Sequence, residues 1–329
     1  MTITFPRYLL VAFVTTLVAA TIGCGAATAA DPYPNRPIKL IVPYTPGQGA
    51  DSAARLVATR LAERLKQAIV IENRPGAGGN IGAEVVAGAP ADGYTLLVGS
   101  NATHAANAAL YPSLRFDPLK DFTAVAYIGA VPMALIASPA FPASSLRELL
   151  ALAKAQPDAI TVAVPSTTAR VVLELLQKSS GAQFKNVPYK GSSTAITDVL
   201  GGHVQLSIDT AMAATPQVQS GKMKALGLTA LSRSTVLPGV STFSESGLPG
   251  FNLVAWNVWF APQGTPADIV ARLNTEIRAV LADSDIAGKM RSLGYEPGAG
   301  DDAAKVGEFI RAESAKWGAL IRGAGIKAE

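Results

Sequence analysis

Strand-like and helix-like segments alternate along almost the whole chain, and this pattern leaves few folds open to it. The apolar run IKLIVPY leads through a glycine-rich turn into DSAARLVATRLAERLKQ, where Leu56, Leu61 and Leu65 fall on helical spacing. The same order recurs later, with the strand-like runs YTLLVGS, ITVAV and HVQLSID separated by amphipathic stretches. This alternation predicts an α/β fold with largely parallel sheets.

The chain is long enough to form two lobes. Its 329 residues exceed the length of a typical single domain. The apolar run FTAVAYIGAVPMALIAS, interrupted by Pro132, suits a strand pair that crosses between lobes, and the two closing amphipathic helices are expected to cover the first lobe. We predict lobe 1 at residues 31–131 plus 250–329, lobe 2 at residues 132–249, and a cleft between them.

The first thirty residues have the order of a secretory signal peptide. Arg7 provides the basic start, YLLVAFVTTLVAATIG the apolar stretch, and ATAA before Asp31 the small residues of a cleavage site. The apolar run is short for an uncleaved membrane anchor. We therefore expect residues 1–30 to be removed by cleavage near Ala29 or Ala30, and the protein to be exported.

Cys24 is the only cysteine of the chain. A lipoprotein anchored through Cys24 is the alternative to simple cleavage, but Thr21 stands where such signals normally have a branched aliphatic residue. Cleavage near Ala29 or Ala30 would leave the exported chain without a cysteine, which excludes both a disulfide framework and a thiol nucleophile. The formal net charge of +4 is small and scattered, so nucleic acid is not an expected partner.

Residues suited to catalysis or metal binding are scarce. The chain has no G-x-S-x-G elbow, no H-x-x-x-H or C-x-x-C pair, and only two histidines, His104 and His203. The stretch GQGADS approximates the dinucleotide-binding pattern G-x-G-x-x-G, but this motif is weak evidence by itself. We predict no catalytic residue, no metal site and no cofactor.

Two loops at predicted helix starts favour the capture of an anion. Backbone N–H groups around Gly49 and Ala50 are expected to face the cleft, with Asp51 or Ser52 capping the helix. The stretch PSTTAR, residues 165–170, repeats this arrangement in the second lobe, with three hydroxyl side chains beside a helix start. Each loop alone is explained by a plain helix cap. Both together predict that one helix start from each lobe grips the same carboxylate.

Long segments of the sequence resemble one family. They include YPNRPIKLIVPYTPGQGADSAARLVA, VIENRPGAGGNIGAEVVAGAPADGYTLLVGS, FDPLKDFTAVAYI, VPYKGSSTAITDVLGGHVQLSID and GTPADIVARLNTEI, and they closely resemble the receptors of tripartite tricarboxylate transporters, also called the Bug family. The resemblance implies a periplasmic solute-binding protein of the type II-like two-lobe fold. Such a protein acts as a monomer without catalysis, closes over a small carboxylated molecule and delivers it to a membrane permease.

The resemblance also implies which residues contact the ligand. The first loop, the THAAN segment, the hydroxyl-rich loop of the second lobe and the SID segment match cleft positions of the family. His104 follows a strand end and is expected to form a hydrogen bond in the cleft. An acid at Asp209 would favour a donor or amino group at the far end of the ligand. The implied set is Tyr44, Gly49, Ala50, Asp51, Thr103, His104, Ser166, Thr167, Arg170 and Asp209.

Several alternatives stay open at the level of sequence. Gln48 stands where the family commonly has glycine, and its amide either joins the cleft or points away. Arg170 stands where a histidine is frequent, and it either pairs with a carboxylate or lies on the helix surface. Trp256 and Trp259 form either an aromatic wall or core, and core is favoured for one of them. Dicarboxylates, aromatic acids, amino acids and neutral vitamins would need similar backbone donors.

The same cleft would also serve two other classes of protein. A ligand-sensing partner of a membrane sensor kinase would share the cleft but have no permease. An exported hydrolase would need a nucleophile, and the missing elbow and the scarce histidines argue against it.

Overall fold

The computed structural model describes residues 1–2 and 33–326 of the chain. The predicted signal peptide, with Cys24 and the expected cleavage position near Ala29 or Ala30, lies outside the described residues apart from its first two. The described residues from Arg36 onward belong to one compact unit, which is described below. No helix within the described ranges is long and apolar enough to span a membrane.

The strands of this unit assemble into two sheets that share one strand. In chain order the strands are β1 (Ile38–Val42), β2 (Ile69–Asn73), β3 (Thr95–Ser100), β4 (Phe122–Ala137), β5 (Thr161–Val164), β6 (Lys185–Pro188), β7 (Leu206–Thr210), β8 (Lys224–Leu228), β9 (Val254–Pro262) and β10 (Glu296–Pro297). The first sheet has the order β2-β1-β3-β9-β4, with β10 added to β4. The second has the order β6-β5-β7-β4, with β8 also paired to β4.

Each sheet is parallel on one side and antiparallel where a strand crosses between sheets. Strands β2, β1 and β3 are parallel in the first sheet, and β6, β5 and β7 are parallel in the second. Strands β4 and β9 pair antiparallel to their neighbours and to each other. Each parallel set is built from strand–helix–strand units, as the alternating sequence predicts.

The run Phe122–Ala137 is one strand of 16 residues, whereas the sequence suggested a strand pair broken at Pro132. Pro132 is the last residue of β4 that pairs with β9, and Met133 is the first that pairs with β7. A proline lacks the N–H that a continuous ladder needs, so it is tolerated where the strand exchanges partners. The single strand β4 therefore connects the two lobes.

Helices cover both sheets. In chain order they are α1 (Gly49–Leu65), α2 (Asn80–Ala87), α3 (Asn107–Leu110), α4 (Leu146–Ala155), α5 (Thr167–Ser180), α6 (Ser192–Leu200), α7 (Ala211–Gln219), α8 (Ala267–Ala282), α9 (Ser284–Ser292) and α10 (Ala303–Ala324). A 3-10 turn precedes α2 and a π-helical turn precedes α3, at Ala77–Gly79 and Ala102–Ala106. Helix α8 packs against α1 and β4, and α10 packs against the π-helical turn and β4.

Helix α5 shows how local sequence sets a helix that matters for the cleft. Ser166 is its N-cap, and its side-chain hydroxyl accepts a hydrogen bond from the N–H of Ala169 at 3.2 Å. Gly181 ends the helix in the left-handed conformation at φ 71°, which a glycine adopts without steric cost. Ser166 therefore sets the start of α5, just after β5, and Gly181 sets its end.

Both tryptophans near the second crossing are buried. Trp259 is fully buried, and Trp256 is 1% exposed while its indole N–H donates to Glu313 Oε2 at 2.8 Å. Core was expected for only one of them, but the strand β9 that carries both is covered on its two faces. Trp256 also lines a small cavity, which is described below.

Candidate functional site

Two adjoining cavities lie where the carboxyl ends of the parallel strands from both lobes meet. The outer cavity has a volume of about 530 Å³. Lobe 1 lines it with residues 43–45, 48, 75–79 and 110–111, and lobe 2 lines it with residues 164–167, 170, 186 and 188–190. A cleft at this edge of the strands is the usual ligand position in open α/β sheets.

The inner cavity is smaller, about 40 Å³, and lies on the crossing strands. Val131 and Met133 of β4, together with Trp256 and Asn257 of β9, form part of its lining. These strands cross between the two sheets, so the inner cavity lies at the crossing. Polar groups from both lobes complete the wall, namely Ser100, Asn101, Thr168 and Thr210.

Three residues, Tyr44, Gln48 and Ser166, line both cavities, and we call them the neck. Gln48 is the N-cap of α1 and Ser166 is the N-cap of α5, so two helices from opposite lobes begin at the neck. In α1 the N–H of Ser52 is the first to bond within the helix, to the carbonyl of Gln48 at 3.0 Å. The preceding N–H groups of each helix are donors without an intrahelical acceptor, and the helix dipole makes this end positive.

The neck bears on one alternative from the sequence. Gln48 is 7% exposed and lines both cavities, so the residue belongs to the cleft wall, and a ligand contact by its amide stays a prediction. The helix α1 begins at Gly49, three residues earlier than a cap at Asp51 would require and four earlier than a cap at Ser52 would require. Gln48 occupies the N-cap position of α1, but its side chain makes no capping hydrogen bond. The first N–H groups of the helix therefore have no side-chain acceptor from the cap residue.

Five of the ten predicted ligand residues lie in a cavity wall. Four of them line the outer cavity, namely Tyr44, Ser166, Thr167 and Arg170. Three line the inner cavity, namely Ala50 together with Tyr44 and Ser166. Burial raises the pKa of Tyr44 to about 12, so its hydroxyl is neutral and shares a hydrogen bond with Ser100 Oγ. Arg170 lies in the cavity wall rather than on an outer helix surface.

Asp51 lies behind the first loop, outside both cavity linings. Its carboxylate accepts from Arg55 Nε and Nη2, each at 2.9 Å, from Asn73 Nδ2 at 2.8 Å and from the N–H of Gly47 at 2.9 Å. Burial acts to raise the pKa of this carboxyl, but these hydrogen bonds outweigh burial and lower it. Asp51 therefore stays ionised and holds the loop between β1 and α1 in place.

Thr103 and His104 lie in the π-helical turn and line neither cavity. The ring of His104 is fully buried, stacks on Phe260 with centroids 3.8 Å apart and meets the edge of Phe122 at 4.8 Å. Its Nδ1 shares a hydrogen bond of 2.8 Å with Thr103 Oγ1, and burial lowers its pKa to about 3. The turn after β3 directs this neutral ring into the interior, which the strand-end position did not indicate. A ligand contact by either residue stays a prediction.

Gly49 and Asp209 also lie behind the cavity walls, on either side of Thr210. A Cβ atom at Gly49 would come 2.5 Å from Thr210 Oγ1, so lobe 1 and lobe 2 approach each other here. Asp209 Oδ1 accepts from the N–H of Thr210 at 2.7 Å, while Oδ2 is buried without a hydrogen-bond partner among the described residues. Burial raises the pKa of Asp209 to about 6.

Replacing Asp209 with Asn is expected to stabilise the protein at high pH and not at low pH. The folded-state pKa of about 6 exceeds the usual aspartate value of 3.8, so the stability of the native protein falls as pH rises through this window. Asp209→Asn should raise the free energy of unfolding by about 2–3 kcal/mol at pH 8 and by almost nothing at pH 3. Urea unfolding at both pH values measures this difference.

The exposed Asp158, at φ 57°, provides the matched control, since asparagine accepts this left-handed conformation. Asp158→Asn should change stability by less than about 0.5 kcal/mol at either pH. An equal gain for Asp209→Asn at pH 3 and pH 8 would contradict the titration of Asp209.

Several contacts between described residues join the lobes around the cavities. Asn101 Nδ2 donates to Thr168 Oγ1 at 2.8 Å, and Gly49 approaches Thr210 as described above. Gly78, at φ 64°, brings the 3-10 turn so close to α5 that a Cβ there would lie 2.5 Å from Thr167 Oγ1. Side chains at the two glycines would hold the lobes apart.

Replacing Asn101 with Ala is expected to weaken ligand binding about fivefold, because the closed arrangement loses one buried hydrogen bond between lobes. Isothermal titration calorimetry with a bound acid measures the loss. Thr168→Val should cost a similar factor, and the double variant should cost no more than either alone, since both remove the same bond. Additive losses would show that Asn101 and Thr168 act independently.

Sequence reasoning missed part of the outer wall. Asn186 lies within β6, Tyr189 and Lys190 follow β6, and the 3-10 turn follows β2. The segments VPYKG and NRPGAGGN come directly after strand-like runs, and the carboxyl end of a parallel strand is where cleft residues are expected. The position of these two segments directly after strand-like runs is the sequence feature that predicts them to line the cleft.

Comparison with known proteins identifies the family. A family model described as "Tripartite tricarboxylate transporter family receptor" matches residues 53–326. BugT of Bordetella pertussis is 37% identical over 311 residues, which cover 94% of this chain and 95% of BugT. A Rhodopseudomonas palustris protein, Rpa4515, solved with adipate is 36% identical, with a TM-score of 0.87 over 90% of this chain and 100% of that one. MatC of the same organism, with bound malate, is 35% identical, with a TM-score of 0.83 over 88% and 100%.

These matches confirm the predicted fold and family. Solved relatives are periplasmic transport and binding proteins, and the two sheets with their connecting strands form the same two-lobe α/β architecture. Both the family and the fold are those of solute-binding proteins rather than enzymes. The chain therefore belongs to the tripartite tricarboxylate transporter receptor family, a family of periplasmic receptors.

Proposed function

We propose that this receptor binds a small organic acid in the outer cavity, with one carboxylate of the acid held at the neck. The observation that carries the proposal is the meeting of two helix N-termini, one from each lobe, at Gln48 and Ser166. Unbonded N–H donors and the positive ends of two helices are suited to an anion. Because the donors come from both lobes, the anion would hold the lobes together.

The charges of the lining support an acid as the ligand. Among the residues that the structure describes, those lining the two cavities include no Asp or Glu, whereas Arg170 and Lys190 contribute cations. Homologous receptors were solved with adipate and with malate, and both compounds are dicarboxylates. We assign direct ligand contacts to Tyr44, Ala50, Ser166, Thr167 and Arg170, and supporting positions to Gly49, Asp51, Thr103, His104 and Asp209.

The proposal includes a lobe-closing motion and its boundaries. Lobe 1 would comprise residues 31–131 and 250–329, and lobe 2 residues 132–249. The exchange of partners along β4 at Pro132 supports the first boundary, and the start of β9 at Val254 supports the second. Crossing strands of this kind allow a hinge motion around a bound ligand.

Export and delivery complete the proposal. The receptor would be exported by the signal peptide at residues 1–30, act as a periplasmic monomer and deliver its acid to the membrane permease of a tripartite tricarboxylate transporter. Family membership supports the permease partner. The receptor would bind the acid without converting it.

Calorimetry with acids and their neutral amides tests the binding proposal. A carboxylic acid that binds should lose at least about 100-fold in affinity when its carboxylate is replaced by an amide, because the helix N-termini and Arg170 favour an anion. Chromatography of the recovered ligand should show it unchanged. Equal affinity for acid and amide would contradict an anion site at the neck, and turnover of the acid would contradict a receptor.

A further inference from the structure

We propose that the ligand of this receptor is a hydroxylated aromatic carboxylate, with its carboxylate at the neck, its ring in the outer cavity and its hydroxyl at Asn186. The inference rests on the proposed function, because it takes the neck as the position of the carboxylate. It adds the size of the ligand, the chemistry of its body and the nature of its far end. Each follows from a different feature of the outer cavity.

The outer cavity is larger than a short diacid needs. Its volume of about 530 Å³ corresponds to about eighteen water molecules at ~30 Å³ each. A four-carbon diacid has about half as many non-hydrogen atoms, so it would leave much of the cavity to water. An acid with a six-membered ring and a short side chain fills it better, within the usual size range of ligand pockets.

Much of the wall of the outer cavity is formed by rigid apolar side chains. Four prolines, Pro43, Pro75, Pro165 and Pro188, line the outer cavity from both lobes. Tyr189 adds an aromatic ring whose orientation is fixed, because its hydroxyl donates to Asp198 Oδ2 at 2.6 Å. Rigid apolar side chains with few rotatable bonds pack well against a planar ring and lose little entropy on binding.

A buried acceptor lies at the lobe 2 side of this wall. Asn186 lines the outer cavity, and its Oδ1 is buried with no hydrogen-bond partner among the described residues. A buried polar atom without a partner is costly, so this oxygen requires a donor. A second carboxylate on the ligand would offer only acceptors to Asn186, whereas a hydroxyl group offers a donor.

Lys190, four residues further along the same segment, makes the hydroxyl a better fit than an amine. Lys190 lines the same cavity, and its ammonium group has only donors to offer. A ligand hydroxyl both donates to Asn186 and accepts from Lys190, while a ligand ammonium would meet Lys190 with like charge. Together the two side chains select a group that is donor and acceptor at once.

Calorimetry with matched ring acids tests the inference. The probes are 4-hydroxycinnamate, cinnamate and 4-methoxycinnamate, with butanedioate as a short diacid. The hydroxylated acid should bind at least about tenfold more tightly than the other two ring acids, since neither of them has a donor for Asn186. It should also bind at least about tenfold more tightly than butanedioate, which leaves the apolar wall uncovered.

Variants at Asn186 separate ligand recognition from a structural role. Asn186→Leu should abolish the preference for the hydroxylated acid over cinnamate, and Asn186→Asp should keep this preference because it keeps an acceptor. Asn252→Leu, at an exposed asparagine outside this cavity, should leave the preference unchanged. If all acids fail to bind, the proposed function is wrong. If acids bind but the hydroxyl group makes no difference, or butanedioate binds best, only this inference is wrong.

Discussion

Ser166→Asp is expected to weaken binding of the ligand acid by two to three orders of magnitude while the protein folds normally. Ser166 is the N-cap of α5, and aspartate is an equally good N-cap, so the hydrogen bond from the N–H of Ala169 is kept. The new carboxylate lies at the neck, where the ligand carboxylate is bound. Two like charges about 4 Å apart near a protein surface repel by about 4 kcal/mol, which corresponds to roughly a thousandfold in affinity.

The chain offers a close control for this substitution. Ser145 is the N-cap of α4, and its hydroxyl accepts from the N–H of Glu148 in the same manner, but it lines neither cavity. Ser145→Asp should leave affinity within about twofold of the wild type. Calorimetry and thermal unfolding of both variants provide the measurements. Equal affinities of the two variants would place the ligand carboxylate away from the neck.

Gly49→Ala is expected to weaken binding by between about five-fold and 100-fold, through the closed arrangement of the lobes rather than through a lost ligand contact. The added Cβ would lie 2.5 Å from Thr210 Oγ1 and 3.2 Å from Thr210 Cβ, across the gap between lobes. The side chain of Thr210 is branched at Cβ, and its hydroxyl accepts a hydrogen bond from the N–H of Ala213. It therefore cannot readily rotate away from an added methyl group. Overpacking of this kind costs about 1–3 kcal/mol, and here the cost falls on the closed state.

A second substitution should reverse this effect. Thr210→Ala removes the obstructing hydroxyl, so Gly49→Ala/Thr210→Ala should bind more tightly than Gly49→Ala alone, although loss of the α7 cap should lower its melting temperature. Gly288→Ala is the matched control, because nothing lies within 4 Å of a Cβ at this helical glycine. It should keep full affinity. No recovery in the double variant would mean that Gly49 acts on the ligand directly.

The architecture was predictable from local sequence because it depends on periodicity. The alternation of apolar runs and amphipathic stretches predicts parallel strands with covering helices, and the structure has three parallel strands in each sheet. The undivided strand β4 was not predictable in this way. A proline normally interrupts a strand, and only the tertiary exchange of partners at Pro132 makes it acceptable.

The candidate site was predictable where backbone chemistry defines it and less so where side-chain direction does. Ser166 and the start of α5 follow from a cap residue before an amphipathic run. His104 shares a strand-end position with cleft residues, but the π-helical turn directs it under Phe260. Asn186 has no motif, since its importance depends on a buried oxygen without a partner and on a wall formed by the other lobe.

A crystal structure of the receptor with a bound acid tests the central claim most directly. The measured quantity is the distance from the ligand carboxylate oxygens to the backbone N–H groups at the starts of α1 and α5. We expect hydrogen-bond distances of about 2.7–3.2 Å to donors of both helices, at the neck formed by Tyr44, Gln48 and Ser166. A carboxylate bound to donors of one lobe only, or bound outside the neck, would contradict the account.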